Sequence, residues 1–584
     1  MLCGIIKLII YGGEMKMFVR VTKSPTSKLS KVYLVEGYRD ENGNPKQRII
    51  KSYGNLEELQ EQNPNILDKL KAEAKKIPKN MVDVSLNLTN SNTEMENDKN
   101  YGYFFLERLY NDLQVPNFFA QSCSQSKHEF DLNEILKLLV FGRILHPESK
   151  KSTVERQDHY FNPFNVTLHS VYASLSHFND LKEDLQSHLN QRVTELYGRD
   201  ASLVFYDVTN YYFEIDEEDE LKRKGVSKEN KKSPIVQMGL LIDQKGLPIA
   251  YQLFSGNTHD STTLIPFVEE MRKRYQLGKI ILTADKGLNS GKNLAFLTSN
   301  DDGYIVSQKV RGSSKVFIDQ VLDEEGYVYN KSRNFKIKSF IRKRTVKDQE
   351  GDKVTLEEKV VCFWSRDFDV REKKKREILE DRINEFMKSP SKYNASNRFG
   401  VKKYLTLHDM DKETGEIKKI KPYLEFDHEK YNRDVSLDGF YVLVTSEIEL
   451  NEEEVIKKYR GLWKIEESFR VLKSDLEGRP VYVRRNDHVQ GHFLICFLSL
   501  LIMRILELKL DHKFSVRKIQ TALETATCRK VAKGIYSVNK QDDVFRRIEK
   551  VFDVSLDYQF VRLEHFRSYR KDIKSTLQIN NLKN

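Results

Sequence analysis

An α/β core interrupted by a β-rich insertion, with helical N-terminal and C-terminal regions, is the fold class that this 584-residue chain predicts. Three observations predict it. Residues 202–284 read strand, strand, strand, helix, strand; residues 311–437 break that rhythm with charged, strand-like runs; and the flanks carry apolar residues at helical spacing.

Ser202 to Val208 is a short, nearly continuous apolar run, which fits a buried strand. Ile235 to Ile242 is a second strand, Asp243-Gln244-Lys245-Gly246 a turn, and Leu247 to Phe254 a third strand. Ser255-Gly256-Asn257 ends it, and Asp260 or Ser261 can cap a helix running to about Tyr275. Lys279 to Ala284 is the fourth strand. Three meandering strands and a crossover helix leading to another strand form the grammar of an RNase H-like fold, in which the first and fourth strands lie side by side. Gly439 to Thr445 resumes a core strand after the insertion. Asn451 caps a long helix, with Glu454 as its capping-box partner.

The remaining boundaries follow from composition. Residues 1–16 precede Met17 as an upstream extension, and 17–87 make a small α+β unit with a hairpin turn at Glu41-Asn42-Gly43-Asn44. Residues 88–100 are an Asn- and Thr-rich linker. Residues 101–196 are helical, Leu132 to Leu145 being the clearest helix; the next segment, from Ser149, either forms a DNA-binding helix-turn pair with it or belongs to a plain helical domain. The core then occupies 197–310 and 438–512, and 513–584 forms the C-terminal region.

The net charge of +11 suits an anionic partner, although 97 basic against 86 acidic residues also describes an ordinary charged surface. Five scattered cysteines have no metal-ligand or redox spacing and read as free thiols of a reducing cytoplasm. Leu2 to Ile10 lacks the leader and cleavage site of a signal peptide. Phe493 to Met503 is about half of a bilayer span, so a soluble protein with no membrane partner is expected.

Asp207 and Asp285 each follow an apolar strand. A strand-end aspartate alone is commonly a turn former. Two on neighbouring strands of one sheet repel unless cations intervene, and hard oxygen ligands suit magnesium or manganese. Tyr459, Glu466 and Lys473 are spaced seven apart on the helix after Asn451, so they share a face, with Arg470 beside Glu466 at i+4. Trp463, Ile465, Phe469 and Leu472 supply that helix with an apolar side, and a salt-bridged surface helix is the competing reading. His259 reads as a loop hydrogen-bonder, Trp364 as a packed core residue, and the lysines of 222–232 and 373–376 as phosphate trackers or solvated faces.

Residues 202–213 (SLVFYDVTNYYF), 283–288 (TADKGL) and 459–473 (YRGLWKIEESFRVLK) together resemble the DDE transposases of bacterial insertion sequences, in the branch with a tyrosine-arginine-glutamate-lysine signature. Gly256-Asn257-Thr258 with Asp260, and the long insertion before the glutamate helix, resemble that family too. The resemblance implies that Asp207, Asp285 and Glu466 bind two divalent metal ions, Mg2+ or Mn2+, and that Tyr459 and Lys473 contact phosphates, with Arg470 a further DNA-binding candidate. It implies double-stranded DNA as partner (element ends and target), a homodimer in the synaptic complex, and a bacterial cytoplasmic enzyme that cleaves and joins DNA. The family's signature arginine falls on Leu462; Arg460 is nearby but off the Glu466 face. A nuclease without strand transfer, or a non-catalytic DNA-binding descendant, is the alternative reading.

Overall fold

The computed structural model describes residues 5–11, 17–23, 30–39, 45–76, 81–87, 98–123, 129–226, 232–275, 278–390, 400–408, 423–532 and 534–575. The expected hairpin turn at 41–44 and most of the expected linker lie outside the described residues. The chain divides into two compact units, residues 177–501 and residues 1–176 with 502–584.

The 177–501 unit is built on one sheet of nine strands: β1 (Leu203–Tyr212), β2 (Ile235–Asp243), β3 (Pro248–Ser255), β4 (Ile281–Ala284), β5 (Gly303–Ser307), β6 (Val328–Tyr329), β7 (Phe335–Lys347), β8 (Lys353–Ser365) and β9 (Phe440–Thr445). Their order is β6-β7-β8-β9-β5-β4-β1-β2-β3. β1, β2 and β3 are antiparallel neighbours, and β4 runs parallel to both β1 and β5. β9 is antiparallel to β5 and to β8, and β8 to β7.

Two expectations change. β1 does not stop at Asp207: Val208 to Tyr212 continue the ladder on β2 as far as the pair Tyr212–Ile235. The strand formers Val208, Thr209, Tyr211 and Tyr212 outweigh the strand-breaking tendency of one aspartate, so Asp207 sits mid-strand. And the β-rich insertion at 311–437 is continuous with the core sheet. Its strands β6, β7 and β8 extend the same sheet through β9, and the segment also carries the 23-residue helix α2 (Arg366–Lys388).

Alternation along the strands gives the sheet two faces. Val204, Tyr206, Val208, Leu282, Ala284, Tyr304 and Val306 meet helix α1 (Asp260–Tyr275) through its Leu264, Phe267, Val268 and Met271. Burial of side chains of this size stabilises by roughly 1.5–3 kcal/mol each. The other face, with Ile305, Val361 and Leu443, meets Val455 and Ile456 of α3 (Glu452–Arg460). The expected capping box starts α3: Asn451 Oδ1 accepts from the Glu454 amide at 2.9 Å, and the Glu454 carboxylate accepts from the Asn451 amide at 3.2 Å.

The expected single long helix is interrupted. α3 ends at Arg460, α4 covers Trp463–Arg470, and Val471–Asp475 form a π-helical turn. At the α3–α4 junction the amides of Gly461, Leu462, Lys464 and Ile465 all bond three residues back. Gly461 is required there by space: a Cβ would lie 2.3 Å from Cζ of Phe205 on β1.

In the other unit, Met17–Lys23, Ser30–Arg39 and Pro45–Asn55 form an antiparallel sheet followed by helices Leu56–Gln62 and Ile66–Lys76. Ile5–Tyr11, expected as an extension, forms a strand antiparallel to Met81–Asn87. The two ends of the chain share one core. Lys99–Asn100 pairs with Thr527–Ala532 in a four-stranded sheet completed by Ile535–Val538 and Phe560–Arg562, so the C-terminal region is not helical alone. The Asn100 amide donates to the carbonyls of Leu523 and Glu524 at 2.8 and 2.9 Å. Among the described residues one helix, Asn486–Lys509, is long and apolar enough to cross a membrane, and 94% of its apolar window is buried inside the fold.

Candidate active site

β4 pairs with β1 through Thr283–Phe205 and with β5 through Thr283–Ile305. Two residues further along these registers, Asp207, Asp285 and Ser307 come to one level of three adjacent parallel strands, about 4.8 Å from strand to strand. All three lie on the face away from α1, since their neighbours Tyr206, Ala284 and Val306 belong to the α1 core. Ser307 Oγ donates to Asp285 Oδ1 at 3.1 Å, as this register requires.

α4 runs along β1 on the same face. Gly461 abuts Phe205, and Lys473 Nζ lies 5.4 Å from the centre of the Tyr211 ring. Twelve helical residues span about 18 Å and six strand residues about 20 Å, so helix and strand keep pace. At regular helical rise Glu466 stands about 7.5 Å beyond Gly461, and Asp207 stands about 6.6 Å beyond Phe205 at strand rise. The Glu466 side chain is on the exposed edge of α4, whose buried stripe is Ile465, Ser468 and Phe469. Trp463, expected on that apolar side, is instead 56% exposed.

Tyr459 is half-buried. Its hydroxyl is 3.0 Å from that of Tyr441 on β9. Burial, then Tyr441 and the Asp285 charge, push its phenol well above the usual range, so it is neutral at any working pH. Arg470 does not pair with Glu466. Its guanidinium holds Asp475 at 2.9 Å across the π turn, with Glu467 at 3.8 Å. Leu462, at the family's arginine position, is 6% exposed in the α3–α4 junction, and Arg460 is exposed at the end of α3.

The two aspartates suit a divalent cation by the hardness of their oxygens and by their shared level. Among the described residues, however, no three His, Cys, Asp or Glu side chains stand close enough together to form a ready-made metal cage. Of the three candidate carboxylates, Asp207 and Asp285 are borne by the sheet and Glu466 by a helix.

Several of the described lysines of the two runs have partners within the fold. Buried Lys222 donates to the Arg484 carbonyl and to Asn486 Oδ1, both at 2.6 Å. On α2, Lys373 pairs with Asp369, Lys375 with Glu372 and Arg376 with Asp438. Trp364 donates its indole N–H to the Asp438 carbonyl at 3.1 Å, as a packed residue would. Gly256, in the motif that resembles the family, packs where a Cβ would meet the Ile235 carbonyl oxygen at 2.1 Å. Sequence reasoning missed Ser307, Tyr441 and Gly461. The run Gly303-Tyr304-Ile305-Val306-Ser307 carried a strand signal that would have pointed to the first.

Residues 201–502 match the family model "Transposase DDE domain", and residues 19–83 match "IS1634 family transposase, N-terminal domain". No curated protein matches the chain. Among solved structures, one similarity is to a piggyBac transposase synaptic complex with hairpin DNA, at 8% identity over 81% of this chain and 84% of that one, TM-score 0.33. A second is to the Mos1 transposase paired-end complex with the left transposon end, at 12% identity over 31% and 59%, TM-score 0.14. A third is to the Mos1 mariner paired-end complex with Mn, at 14% identity over 34% and 65%, TM-score 0.13. Scores this low establish no shared fold. The DDE match alone spans more than half of the 584 residues and contains every element of the candidate site, so this chain belongs to the DDE transposase family of insertion sequences, enzymes that cleave and transfer DNA strands.

Proposed function

We propose that Asp207, Asp285 and Glu466 are the carboxylates at which this transposase cuts the ends of its element and joins them to target DNA, and that they hold two divalent cations, Mg2+ or Mn2+. The observation that carries this reading is the shared level of Asp207 and Asp285 on adjacent parallel strands, on the face against which Gly461 at the start of α4 packs. The order β3-β2-β1-β4-β5, with β4 and β5 parallel to β1, supports an RNase H-like core. When bound, such a cation pair activates the attacking oxygen and stabilises the leaving one in an in-line displacement at phosphorus.

The protein's own share is positioning. Asp207 is held mid-strand by its pairing with Leu240 of β2, and Asp285 by the end of β4 and Ser307. Lys473, above Tyr211 on the same face, supplies a point charge for a DNA phosphate beyond the carboxylates. Arg470 offers DNA only the edge of its guanidinium that Asp475 leaves open. Two copies of the chain, each holding one element end, would form the synaptic homodimer on double-stranded DNA.

The test uses full-length Asp207→Asn, Asp285→Asn and Glu466→Gln variants. They are assayed for Mg2+-dependent nicking and strand joining on duplexes that carry the repeats flanking the gene. Each should lose more than the roughly 10–100-fold that removing a ligand's supporting partner costs, with DNA binding retained. Full cleavage by any of the three would refute its assignment.

A further inference from the structure

We propose that Tyr482 and Arg484, in the segment 479–485 that follows the Glu466 helix, form a contact strip for the sugar–phosphate backbone of the element-end duplex. The inference goes beyond the carboxylate site. It concerns how the DNA is held, and binding without metal tests it apart from cleavage.

Residues 479–485 read Arg-Pro-Val-Tyr-Val-Arg-Arg, three cations and no acid. The segment is pinned at both ends. Before it, the Gly478 amide donates to the Leu472 carbonyl at 2.8 Å, and the Gly478 carbonyl lies 3.2 Å from Nε2 of buried His492. At its far end, buried Lys222 holds the Arg484 carbonyl and Asn486 Oδ1. Val481 and Val483 are buried, and Tyr482 between them is turned outward. It is 72% exposed, the largest value of any described aromatic side chain. A single exposed apolar group is ordinary on a protein surface. This ring differs in being held out by a segment that has no slack: burying it would pull a valine out of the core or break the Lys222 clamp.

Charge and position say what the ring meets. Arg485 is partly neutralised by Asp487 at 2.6 Å, whereas Arg484 is exposed. The Arg479 guanidinium lies against Tyr212, 6.0 Å from the ring centre, next to the place where Lys473 lies over Tyr211. Tyr211 and Tyr212 stand four and five residues beyond Asp207 on β1, about 13–17 Å at strand rise. The segment therefore continues, away from the carboxylates, the series of cations that begins with Lys473. Inside a duplex the base faces are stacked and out of reach, so a ring on this strip meets the backbone. Its hydroxyl donates to a phosphate oxygen, the ring packs on deoxyribose, and Arg484 supplies a charge. Such contacts fix the register of the DNA on the protein and carry no sequence information.

The experiment follows binding of a labelled terminal-repeat duplex to the full-length protein by fluorescence anisotropy, without divalent cation and across a range of salt. Tyr482→Phe should weaken binding about tenfold, the loss of one hydrogen bond to a charged group, and Tyr482→Ala more. Arg484→Ala should reduce the salt slope by about one. The losses should be equal on a duplex of scrambled sequence. Thermal melting identifies any variant that has simply lost its fold, and Arg484→Ala then carries the test. If Tyr482→Ala binds like the unaltered protein, the proposal falls. A loss confined to the terminal repeat would make Tyr482 a reader of bases and overturn the backbone assignment. Unchanged duplex affinity with an altered sedimentation coefficient would make the strip an interface between copies of the chain, which also overturns it. Asp207→Asn and Glu466→Gln serve as controls that should bind the duplex normally. If they fail to cleave while Tyr482→Ala binds normally, this inference falls and the carboxylate reading stands. If they cleave fully while Tyr482→Phe loses affinity, the carboxylate reading falls and this inference stands.

Discussion

Gly461→Ala tests whether the seating of α4 on β1 governs the chemistry. The glycine has ordinary helical torsions, φ −59° and ψ −16°, so alanine meets no backbone strain there. The obstacle is spatial. The new Cβ would lie 2.3 Å from Cζ and 2.8 Å from Cε1 of Phe205, a ring only 2% exposed. Reaching an ordinary carbon contact of roughly 3.5–4.0 Å moves the helix or the ring by about 1.2–1.7 Å. Overpacking of this kind costs about 1–3 kcal/mol. A misplacement of about 1 Å in a catalytic group costs on the order of 100-fold in rate. Glu466 rides on α4, whereas Asp207 rides on β1, so the shift falls between two members of the proposed site. Single-turnover cleavage of a terminal-repeat duplex should therefore drop about 100-fold, with duplex affinity kept and the melting temperature only a few degrees lower. Phe205→Leu, which shortens the obstructing ring, should recover at least about tenfold of that loss in the Gly461→Ala background, the coupling expected of residues in contact. A Gly461→Ala enzyme with the unaltered rate would refute the argument, as would a double variant no faster than the single one.

Other predictions concern what holds the two units together internally. Glu358 on β8 is fully buried and accepts from Tyr304 at 3.0 Å, Arg342 at 2.9 Å and Arg344 at 2.6 and 3.0 Å. Glu358→Gln removes the charge that two arginines surround and should cost about 3–5 kcal/mol, read by urea unfolding; a loss under about 1 kcal/mol would mean that the arginines find water. In the unit formed by the chain ends, burial alone would raise the Glu107 carboxyl, but Arg570, Lys574 and Lys137 outweigh it and hold it below its ordinary value of 4.5. Its stabilising contribution is thus present above pH 4.5 and is lost as the pH falls through the lower, folded-state value. Glu107→Gln should remove that part of the acid sensitivity and cost about 1.5–3 kcal/mol near pH 7, measured by thermal melting across pH 3–7; an unchanged pH profile would count against the ion-pair cluster.

How much of this was legible in the sequence depends on the range of the interactions concerned. β1 to β4 and α1 announce themselves through apolar runs bounded by turn residues, all local signals. β5 carries the same signal in only five residues. For 311–437 the strand character of β7 and β8 was readable but their destination was not. Their ladder onto β9 joins residues about 80 positions apart, and propensity says nothing about such pairing. Asp207 and Asp285 were found because strand and motif agreed. Ser307 was not, because a serine at a strand end becomes informative only once register sets it opposite an aspartate.

The helix bearing Glu466 shows how a sequence argument can name a shared face by an incomplete route. Spacing by seven places Tyr459, Glu466 and Lys473 on one face only if the helix is regular, and this one is not. From Lys458 to Ile465 its bonds tighten to three residues, and at Val471 to Leu476 they loosen to five. The first irregularity winds the chain forward and the second winds it back, so their phase errors offset. Tyr459 still meets Tyr441 of β9, and Lys473 still lies over Tyr211. Each has its own cause: Gly461 is pressed against Phe205 at the tight turn, and Arg470 holds Asp475, five residues on, across the wide one. Glu466 lies between the two, so its position along the sheet is set by both rather than by helix propensity. That is the physical reason to expect the glutamate, and not the two aspartates, to be the adjustable member of the site.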